Sequence, residues 1–202
     1  GYCLNILLPD QRSLGKSEGK IITFGVKESD DVHSWISFLN AKFSPEEIII
    51  SGISMGATTV LLSLKKPLPD NIKGVIADCG FTSPVDIIKN VAKRNFKINA
   101  GFFIPFLDFF CKIFGKFSIR NISTVDTVKD SKIPIMFIHG EKDDFVPCEM
   151  SKLAYKSCGE KGSIVLSEEA GHGISFLIDT EMVVIEIYKF LKSNLKDFKA
   201  DY

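Results

Sequence analysis

Short apolar runs alternate along the chain with longer stretches in which apolar residues recur every three or four positions. The first pattern is typical of buried strands, and the second is typical of helices that pack on a sheet. Strands are predicted at residues 3–8, 47–51, 73–78, 133–138 and 163–167. Helices are predicted at residues 27–43, 55–65, 84–96, 148–158 and 179–196. This alternation predicts an α/β fold, with a mostly parallel sheet and helices on both faces.

One segment, between the strands at 73–78 and 133–138, departs from the alternation and is rich in Phe. Its middle predicts an amphipathic helix with Pro105 in the first turn, where proline is well tolerated. The apolar stripe comprises Phe106, Phe109, Phe110, Ile113, Phe114 and Phe117, opposed by Asp108, Lys112 and Lys116. Three roles fit such a stripe: the roof of an apolar pocket, core packing on the sheet, or a helix in a membrane interface. The run is too short to span a bilayer.

The length of 202 residues indicates one domain, residues 1–202, with a substantial core. The chain has 25 basic and 25 acidic residues, so its formal charge is zero, and no run of Lys or Arg indicates a basic patch. This balance argues against a nucleic-acid partner, which would need a basic face. No signal peptide or membrane span is apparent. Because the chain starts without Met and enters an apolar run almost at once, we expect its native N-terminus to be missing.

The cysteines are odd in number and include no C-x-x-C spacing. They are Cys3, Cys79, Cys111, Cys148 and Cys158. This pattern predicts reduced thiols in a cytoplasmic protein, rather than a disulfide framework or a zinc site. The sequence therefore predicts no metal.

The pentapeptide Gly52-Ile53-Ser54-Met55-Gly56 lies between a strand-like run and a helix-like run. In this context a G-x-S-x-G pattern predicts a nucleophile elbow, a sharp turn that projects the Ser54 hydroxyl above the sheet. The following helix would direct its free amides and positive dipole end at the same place. The alternative is a glycine-rich turn with no chemical role.

A serine nucleophile requires a base, and the chain has three histidines. His33 lies in a helical pattern upstream of the serine, where a surface position is expected. His139 ends the run at 133–138, which favours a structural hydrogen-bonding role. His172 lies in a glycine-flanked loop just after another strand, so it is the predicted base.

Two adjacent carboxylates, Asp143 and Asp144, follow the strand at 133–138 and should point in different directions. Asp78, at the end of the strand at 73–78, is a further candidate acid, with a helix or turn cap as its ordinary role. These residues alone leave the choice of acid open.

Together these motifs resemble the α/β-hydrolase family. The run from His139 to Pro147 resembles the family's H-G-x-x-D-x-x-V-P motif, whose aspartate is the catalytic acid, and this selects Asp143 over Asp144. The order Ser54, Asp143, His172 is the order that this fold uses. Residues 9–17 resemble the D-x-R-G-x-G-x-S loop, with Ser13 in place of a glycine, and here Asp10 and Arg12 would brace loops. The similarity is greatest to the prolyl-oligopeptidase-like and Bem46-like bacterial branches.

The resemblance implies a serine hydrolase that cleaves carboxylic esters, with the Met55 amide as an oxyanion donor and no cofactor. It also implies a helical cap over about residues 84–122, whose Phe106, Phe109, Phe110 and Phe114 would line an acyl pocket. The substrate would be a small-molecule ester or peptide, and the oligomeric state is open. Peptidase, lipase and thioesterase activities share this chemistry, and a non-catalytic scaffold is the alternative if the oxyanion loop is absent.

The family's second oxyanion donor comes from a loop upstream of the Asp10 motif, which this sequence does not include. The family's third strand also lies between the two strands that correspond to residues 3–8 and 47–51. Without it, both strands would have unpaired edges, which are costly and prone to aggregation. We therefore expect either that the chain is part of a longer protein, or that these two strands pair directly.

Overall fold

The centre of the molecule is a four-stranded parallel sheet in the order β1-β2-β3-β4, seen in a computed structural model that describes residues 4–196 and 198. The strands are β1 (Ile48–Ile53), β2 (Ile72–Asp78), β3 (Ile135–Gly140) and β4 (Gly162–Ser167). Parallel neighbours require crossover connections, and helices supply them here. All four strands lie within three residues of their predicted positions.

The helices are α1 (Glu28–Phe43), α2 (Met55–Ser63), α3 (Pro84–Phe96), α4 (Ile104–Phe110), α5 (Thr124–Lys129), α6 (Glu149–Cys158), α7 (Ser175–Ile178) and α8 (Thr180–Asn194). A π-helical turn, Cys111–Gly115, extends α4, and 3₁₀ turns occupy Ala100–Phe103 and Gly159–Lys161. The helices α5 and α7 are short and were not predicted. Within residues 4–196, no helix combines the length and apolar character needed to cross a bilayer.

Successive residues of β2 and β3 point to opposite faces of the sheet. Val75 and Phe137 pack in a cluster with residues of α1, α2, α5 and α6. Ile76 and Met136 pack on the other face, against α8. Fully burying a side chain of this kind stabilises the fold by roughly 1.5–3 kcal/mol, and both layers contain several of them. The predicted α/β class, with a parallel sheet and helices on both faces, is confirmed.

The predicted strand at 3–8 is wrong. Residues 4–8 adopt no secondary structure, while residue 3 lies outside the described residues. Ile6 and Leu8 are 79% and 87% exposed. Direct pairing of this segment with β1 is therefore wrong as well, since the described part of the chain pairs β1 with β2 alone. A strand needs a hydrogen-bonding partner and a face to bury, and residues 4–8 have neither. That the chain is part of a longer protein stays a prediction.

The loop at residues 9–17 braces its neighbours, as expected. Arg12 forms a bidentate pair with Asp31, at 2.6 Å from Nε and 2.5 Å from Nη2. The Asp10 carboxylate accepts the Lys16 N–H at 2.9 Å. Ser13 has a φ of 65°, the left-handed region that favours the glycine it replaces in the motif.

Candidate active site

Ser54 lies at the junction of β1 and α2, above the carboxyl end of the sheet. Its φ of 56° and ψ of −117° are strained for a residue with a side chain, at a cost of about 1–3 kcal/mol. The turn is tight, because a Cβ on Gly52 would lie 2.3 Å from the Gly56 carbonyl. The Ser54 N–H donates to the Asp78 carbonyl at 2.8 Å, which fixes the turn to β2. The sharp turn that the G-x-S-x-G pattern predicts is present.

His172 lies in the loop after β4 and contacts both of the other predicted residues. Its Nε2 is 2.9 Å from Ser54 Oγ, and its Nδ1 is 2.7 Å from Asp143 Oδ2. A carboxylate accepts only, so Nδ1–H donates to Asp143 and Nε2 is left to accept the Ser54 hydroxyl proton. This is the polarity that a general base requires. The three residues predicted from the sequence thus converge at hydrogen-bond distances.

Asp143 is held as a carboxylate by several donors. Its Oδ1 accepts the N–H groups of Phe145 and Val146 at 2.9 and 2.8 Å. Burial opposes the charge, but the hydrogen bonds with His139, His172 and the Val146 amide outweigh burial and lower the pKa of Asp143 well below its usual range. The group therefore stays ionised at neutral pH and can stabilise a charged imidazole on His172.

His139 has the structural role that its position at a strand end predicts. It is fully buried, and its Nε2 lies 3.1 Å from Asp143 Oδ2 and 2.9 Å from the Val146 carbonyl. Both of those atoms accept, so Nε2 carries a proton, and Nδ1 lies 2.7 Å from Ser151 Oγ. The ring therefore fixes the acid loop in place. Sequence reasoning missed this contact with the acid, although the spacing of four residues from His139 to Asp143 could have indicated it.

Asp144 points away from Asp143, as expected for adjacent residues. Its side chain is 76% exposed and pairs with Arg94 at 2.9 Å. Exposed pairs of this kind contribute little to stability. His33 lies on α1, half-buried, with its Nε2 2.9 Å from the Ser63 carbonyl, and it takes no part in the cluster.

The sequence also matches the model of a known protein family. The model for the prolyl oligopeptidase family matches residues 23–198, which include Ser54, Asp143 and His172. The chain belongs to the prolyl oligopeptidase family.

Two curated relatives and one solved structure are also similar. YqkD of Bacillus subtilis is 28% identical over 194 residues, a match that covers 96% of this chain and 63% of YqkD. Bem46 of Schizosaccharomyces pombe is 27% identical over 157 residues, covering 77% of this chain and 47% of Bem46. The chain thus spans about half to two thirds of these relatives. The Pyrococcus furiosus esterase Pf2001 superposes with a TM-score of 0.72 at 23% identity, over 93% of this chain and 69% of that one. The predicted α/β-hydrolase fold is confirmed.

In this member of the prolyl oligopeptidase family, Asp78 is a second buried acid beside the cluster. The residue is 8% exposed, and no group of the described residues hydrogen-bonds to its Oδ1. Burial raises the pKa of Asp78 to about 6, against the opposing effect of His139, the Cys79 thiol and His172 and the supporting effect of Asp143. His172 Nδ1 bonds Asp143 rather than Asp78.

Asp78→Asn should stabilise the protein at neutral and higher pH. The folded state keeps the Asp78 proton up to about pH 6, whereas an unfolded chain releases it near its ordinary pKa of 3.8. Between these two pKa values the folded state therefore binds more protons than the unfolded chain, so the free energy of unfolding falls as pH rises through this range. It stays lower at higher pH. We expect a gain of roughly 1–3 kcal/mol in the free energy of unfolding at about pH 8, and little at about pH 4. Urea denaturation measures both, with Asp144→Asn as the control, and equal effects at the two pH values would contradict the account.

Cys79 lies near Asp143 and His172, and the three residues together could in principle hold a metal ion. Ligand atoms of Cys79, Asp143 and His172 lie within 4.8 Å of one another. Burial, the largest cause, raises the pKa of the Cys79 thiol to about 12, which disfavours the thiolate that a metal needs. A metal would also have to replace the hydrogen bond between Asp143 and His172. The arrangement fits a hydrogen-bonded relay better than a metal centre.

The other cysteines that the structure describes, Cys111, Cys148 and Cys158, are free thiols like Cys79, and Cys3 lies outside the described residues. Burial raises the pKa of each of these three thiols as well. Low nucleophilicity follows, because the reactive form of cysteine is the thiolate.

Met55 and the Phe stripe complete the predicted site residues. Met55 is the first residue of α2, where backbone amides have no carbonyl partner within the helix. The side chains of the four cap residues Phe106, Phe109, Phe110 and Phe114 are 65%, 55%, 39% and 71% exposed, so they form an open surface rather than an enclosed pocket. A cavity of about 360 Å³ beside α3 is lined by Asp86, Lys89 and Pro105 among others, and not by Ser54. Contact of these rings with an acyl chain stays a prediction.

Proposed function

We propose that this chain is a serine hydrolase that cleaves carboxylic esters, by acyl transfer to water through an acyl-enzyme on Ser54. The observation that supports this most strongly is the relay of hydrogen bonds from Ser54 Oγ to His172 Nε2 (2.9 Å) and from His172 Nδ1 to Asp143 (2.7 Å). A base and an ionised acid in this arrangement serve to activate a serine hydroxyl.

The proposed reaction has two halves. Ser54 Oγ attacks the ester carbonyl carbon while its proton passes to His172 Nε2, and the tetrahedral intermediate collapses as His172 returns that proton to the leaving alcohol. A water molecule then attacks the acyl-enzyme, giving its proton to Nε2, and collapse releases the acid and restores the Ser54 hydroxyl. Asp143 stabilises the imidazolium in both halves. The chemistry uses protein groups alone, with no cofactor.

The Met55 amide is the proposed oxyanion donor. It lies next to Ser54 at the start of α2, where the helix dipole also favours negative charge. One such donor lowers the barrier by about 3 kcal/mol. The second donor, expected from an upstream loop, stays a prediction.

Labelling with a serine-directed fluorophosphonate tests the proposal. The probe should modify one serine, and peptide mass spectrometry should place the adduct on Ser54, with hydrolysis of p-nitrophenyl esters lost in proportion. Modification should fail in the presence of a competing ester. A folded chain that neither labels nor hydrolyses esters would favour the scaffold alternative.

Peptide hydrolysis is the second candidate function, because the matching family is the prolyl oligopeptidase family. The same relay attacks esters, thioesters and amides, and amides differ chiefly in their poorer leaving group. A panel of matched p-nitrophenyl ester, thioester and peptide p-nitroanilide substrates separates these activities. A higher kcat/KM for the anilide than for the ester would show that the chain is a peptidase rather than an esterase.

The cap prediction can be tested by chain length. Phe109→Ser with Phe110→Ser should lower kcat/KM for long-chain p-nitrophenyl esters by about tenfold, because two acyl contacts are lost, and leave acetate esters unchanged. Phe43→Ser, which removes another exposed ring on α1, is the control. An unchanged chain-length preference would remove these rings from the pocket.

The proposed partner is a small-molecule ester or peptide. The cytoplasmic location that the cysteine pattern predicts stays a prediction, as does the absence of a nucleic-acid partner.

A further inference from the structure

An aromatic surface covers one side of α4 and its flanking turns. It consists of Phe102, Phe103, Phe106, Phe109, Phe110 and Phe114, which are 39–88% exposed. The rings pack on one another rather than on the core, with centroids 4.8 Å apart for Phe106 and Phe110 and 5.9 Å apart for Phe110 and Phe114. Contiguous exposed apolar surface of this kind marks an interaction site on a soluble domain.

The opposite side of α4 holds the helix to the protein. Ile104 and Asp108 are 6% and 2% exposed. Asp108 accepts the Ile119 N–H at 2.9 Å and the Ser118 hydroxyl at 2.6 Å, and it pairs with Lys112 at 2.6 Å. The charged position that the sequence pattern assigns to solvent therefore faces inward, and the aromatic stripe faces outward. Core packing of these rings on the sheet is thus ruled out.

The stretch of chain that includes the aromatic surface is rich in basic residues. Residues 87–122 contain seven basic side chains, all exposed: Lys89, Lys93, Arg94, Lys97, Lys112, Lys116 and Arg120. The single acidic residue in this range is Asp108, which is buried and paired with Lys112. The zero formal charge of the whole chain conceals this concentration, because the basic residues are spaced apart and form no run.

The helix α3, which precedes the aromatic surface along the chain, contacts the acid loop of the candidate active site. The Asn90 amide donates to the Phe145 carbonyl at 2.8 Å, and the Phe145 ring lies 5.0 Å from that of His172. Arg94, two residues before Phe96 at the end of α3, pairs with Asp144.

We propose that this aromatic surface docks on an anionic lipid bilayer. Phe rings, with the exposed Leu107 and Ile113, would enter the boundary between headgroups and acyl chains, while the surrounding Lys and Arg side chains would contact lipid phosphates. A second copy of the chain is a poor occupant, because a symmetric contact would bring the two basic segments together. Aliphatic side chains within the surface also favour lipid over single-stranded nucleic acid, whose bases stack on aromatic side chains along a positively charged groove.

Vesicle flotation tests the proposal. The 202-residue chain should float with phosphatidylcholine vesicles that contain about a third phosphatidylglycerol, bind pure phosphatidylcholine vesicles at least about tenfold more weakly, and dissociate as salt is raised. Ser54→Ala should bind like the parent chain, so the result does not depend on the proposed hydrolysis. Failure to float with either vesicle, or tighter binding to a single-stranded oligonucleotide than to anionic vesicles, would overturn the proposal.

Paired variants locate the binding surface. Phe106→Ser with Phe114→Ser should weaken vesicle binding at least about tenfold, whereas Phe43→Ser with Leu153→Ser, of similar exposure on α1 and α6, should not. Lys93→Gln with Lys116→Gln should weaken binding to anionic vesicles by about threefold to tenfold, unlike Lys132→Gln with Lys161→Gln, which are exposed elsewhere. Circular dichroism confirms folding of each variant. Equal losses in test and control pairs would show that binding does not use this surface.

Discussion

Ser54→Ala is expected to lower kcat for a p-nitrophenyl ester by about five to six orders of magnitude. The substitution removes the one oxygen that lies 2.9 Å from His172 Nε2, so no acyl-enzyme can form. It leaves the backbone turn and the bonds of His172 to Asp143 in place. The measurement is kcat with an activated ester, together with labelling by the fluorophosphonate, which should be lost completely.

Ser51→Ala is the matched control for this variant. Ser51 lies three residues earlier, on β1, where its side chain is exposed and contacts no member of the relay. It should change kcat by less than about twofold. If Ser54→Ala kept activity within about tenfold of the parent chain, the nucleophile would have to be another group and the acyl-enzyme proposal would fail.

The sheet and the elbow could be predicted because both depend on local patterns. Apolar runs bounded by polar residues define β1 to β4 within three residues. Gly52 is required because a side chain there would collide with the Gly56 carbonyl, a constraint that the sequence expresses directly. The distance between His172 and Ser54 is a different matter. It joins residues 118 positions apart: the loop position of His172 makes it the predicted base, but no local pattern sets its distance from Ser54.

Residues 4–8 show what a local pattern cannot decide. The run is as apolar as a buried strand, yet its side chains are exposed and its backbone pairs with no strand. A strand forms only where another strand supplies hydrogen bonds, and that partner is not encoded within the run itself. Apolar periodicity therefore predicts which residues would share a face, and not whether the face is covered.

The Phe stripe shows the same limit, because its period does not decide which side of the helix packs inward. Its period correctly predicts a helix at α4, but the side that packs inward is decided by Asp108, which finds three donors in Lys112, Ser118 and Ile119. A buried, fully bonded carboxylate anchors the polar face, so the apolar face is left outside. These donors lie up to eleven residues away, in a turn whose course the helical pattern does not specify.

The residues alone could not decide between Asp143 and Asp144, and the choice came from the resemblance. The structure supplies the physical reason for it. The amides of Phe145 and Val146 turn toward Asp143, and His139 closes the other side, whereas Asp144 meets only solvent and Arg94. Adjacent carboxylates thus have opposite electrostatic environments.

Asp143→Asn is accordingly expected to lower kcat/KM by about four orders of magnitude, and Asp144→Asn by less than about twofold. An amide in place of the Asp143 carboxylate carries no charge to stabilise the His172 imidazolium. Its NH₂ group would also face donors, either Nδ1–H of His172 and Nε2–H of His139, or the two backbone amides. His172 would then turn or adopt the other tautomer, and Nε2 could no longer take the Ser54 proton.

Asp143→Asn should also change how the stability of the protein depends on pH. The pKa of Asp143 is lowered in the folded protein, so its contribution is present above the ordinary pKa of an aspartate and is lost as pH falls toward the folded value. Asp143→Asn should therefore be destabilising at neutral pH and less so in acid, the opposite trend to Asp78→Asn. A mild loss of activity in Asp143→Asn combined with a severe loss in Asp78→Asn would instead assign the acid to the end of β2.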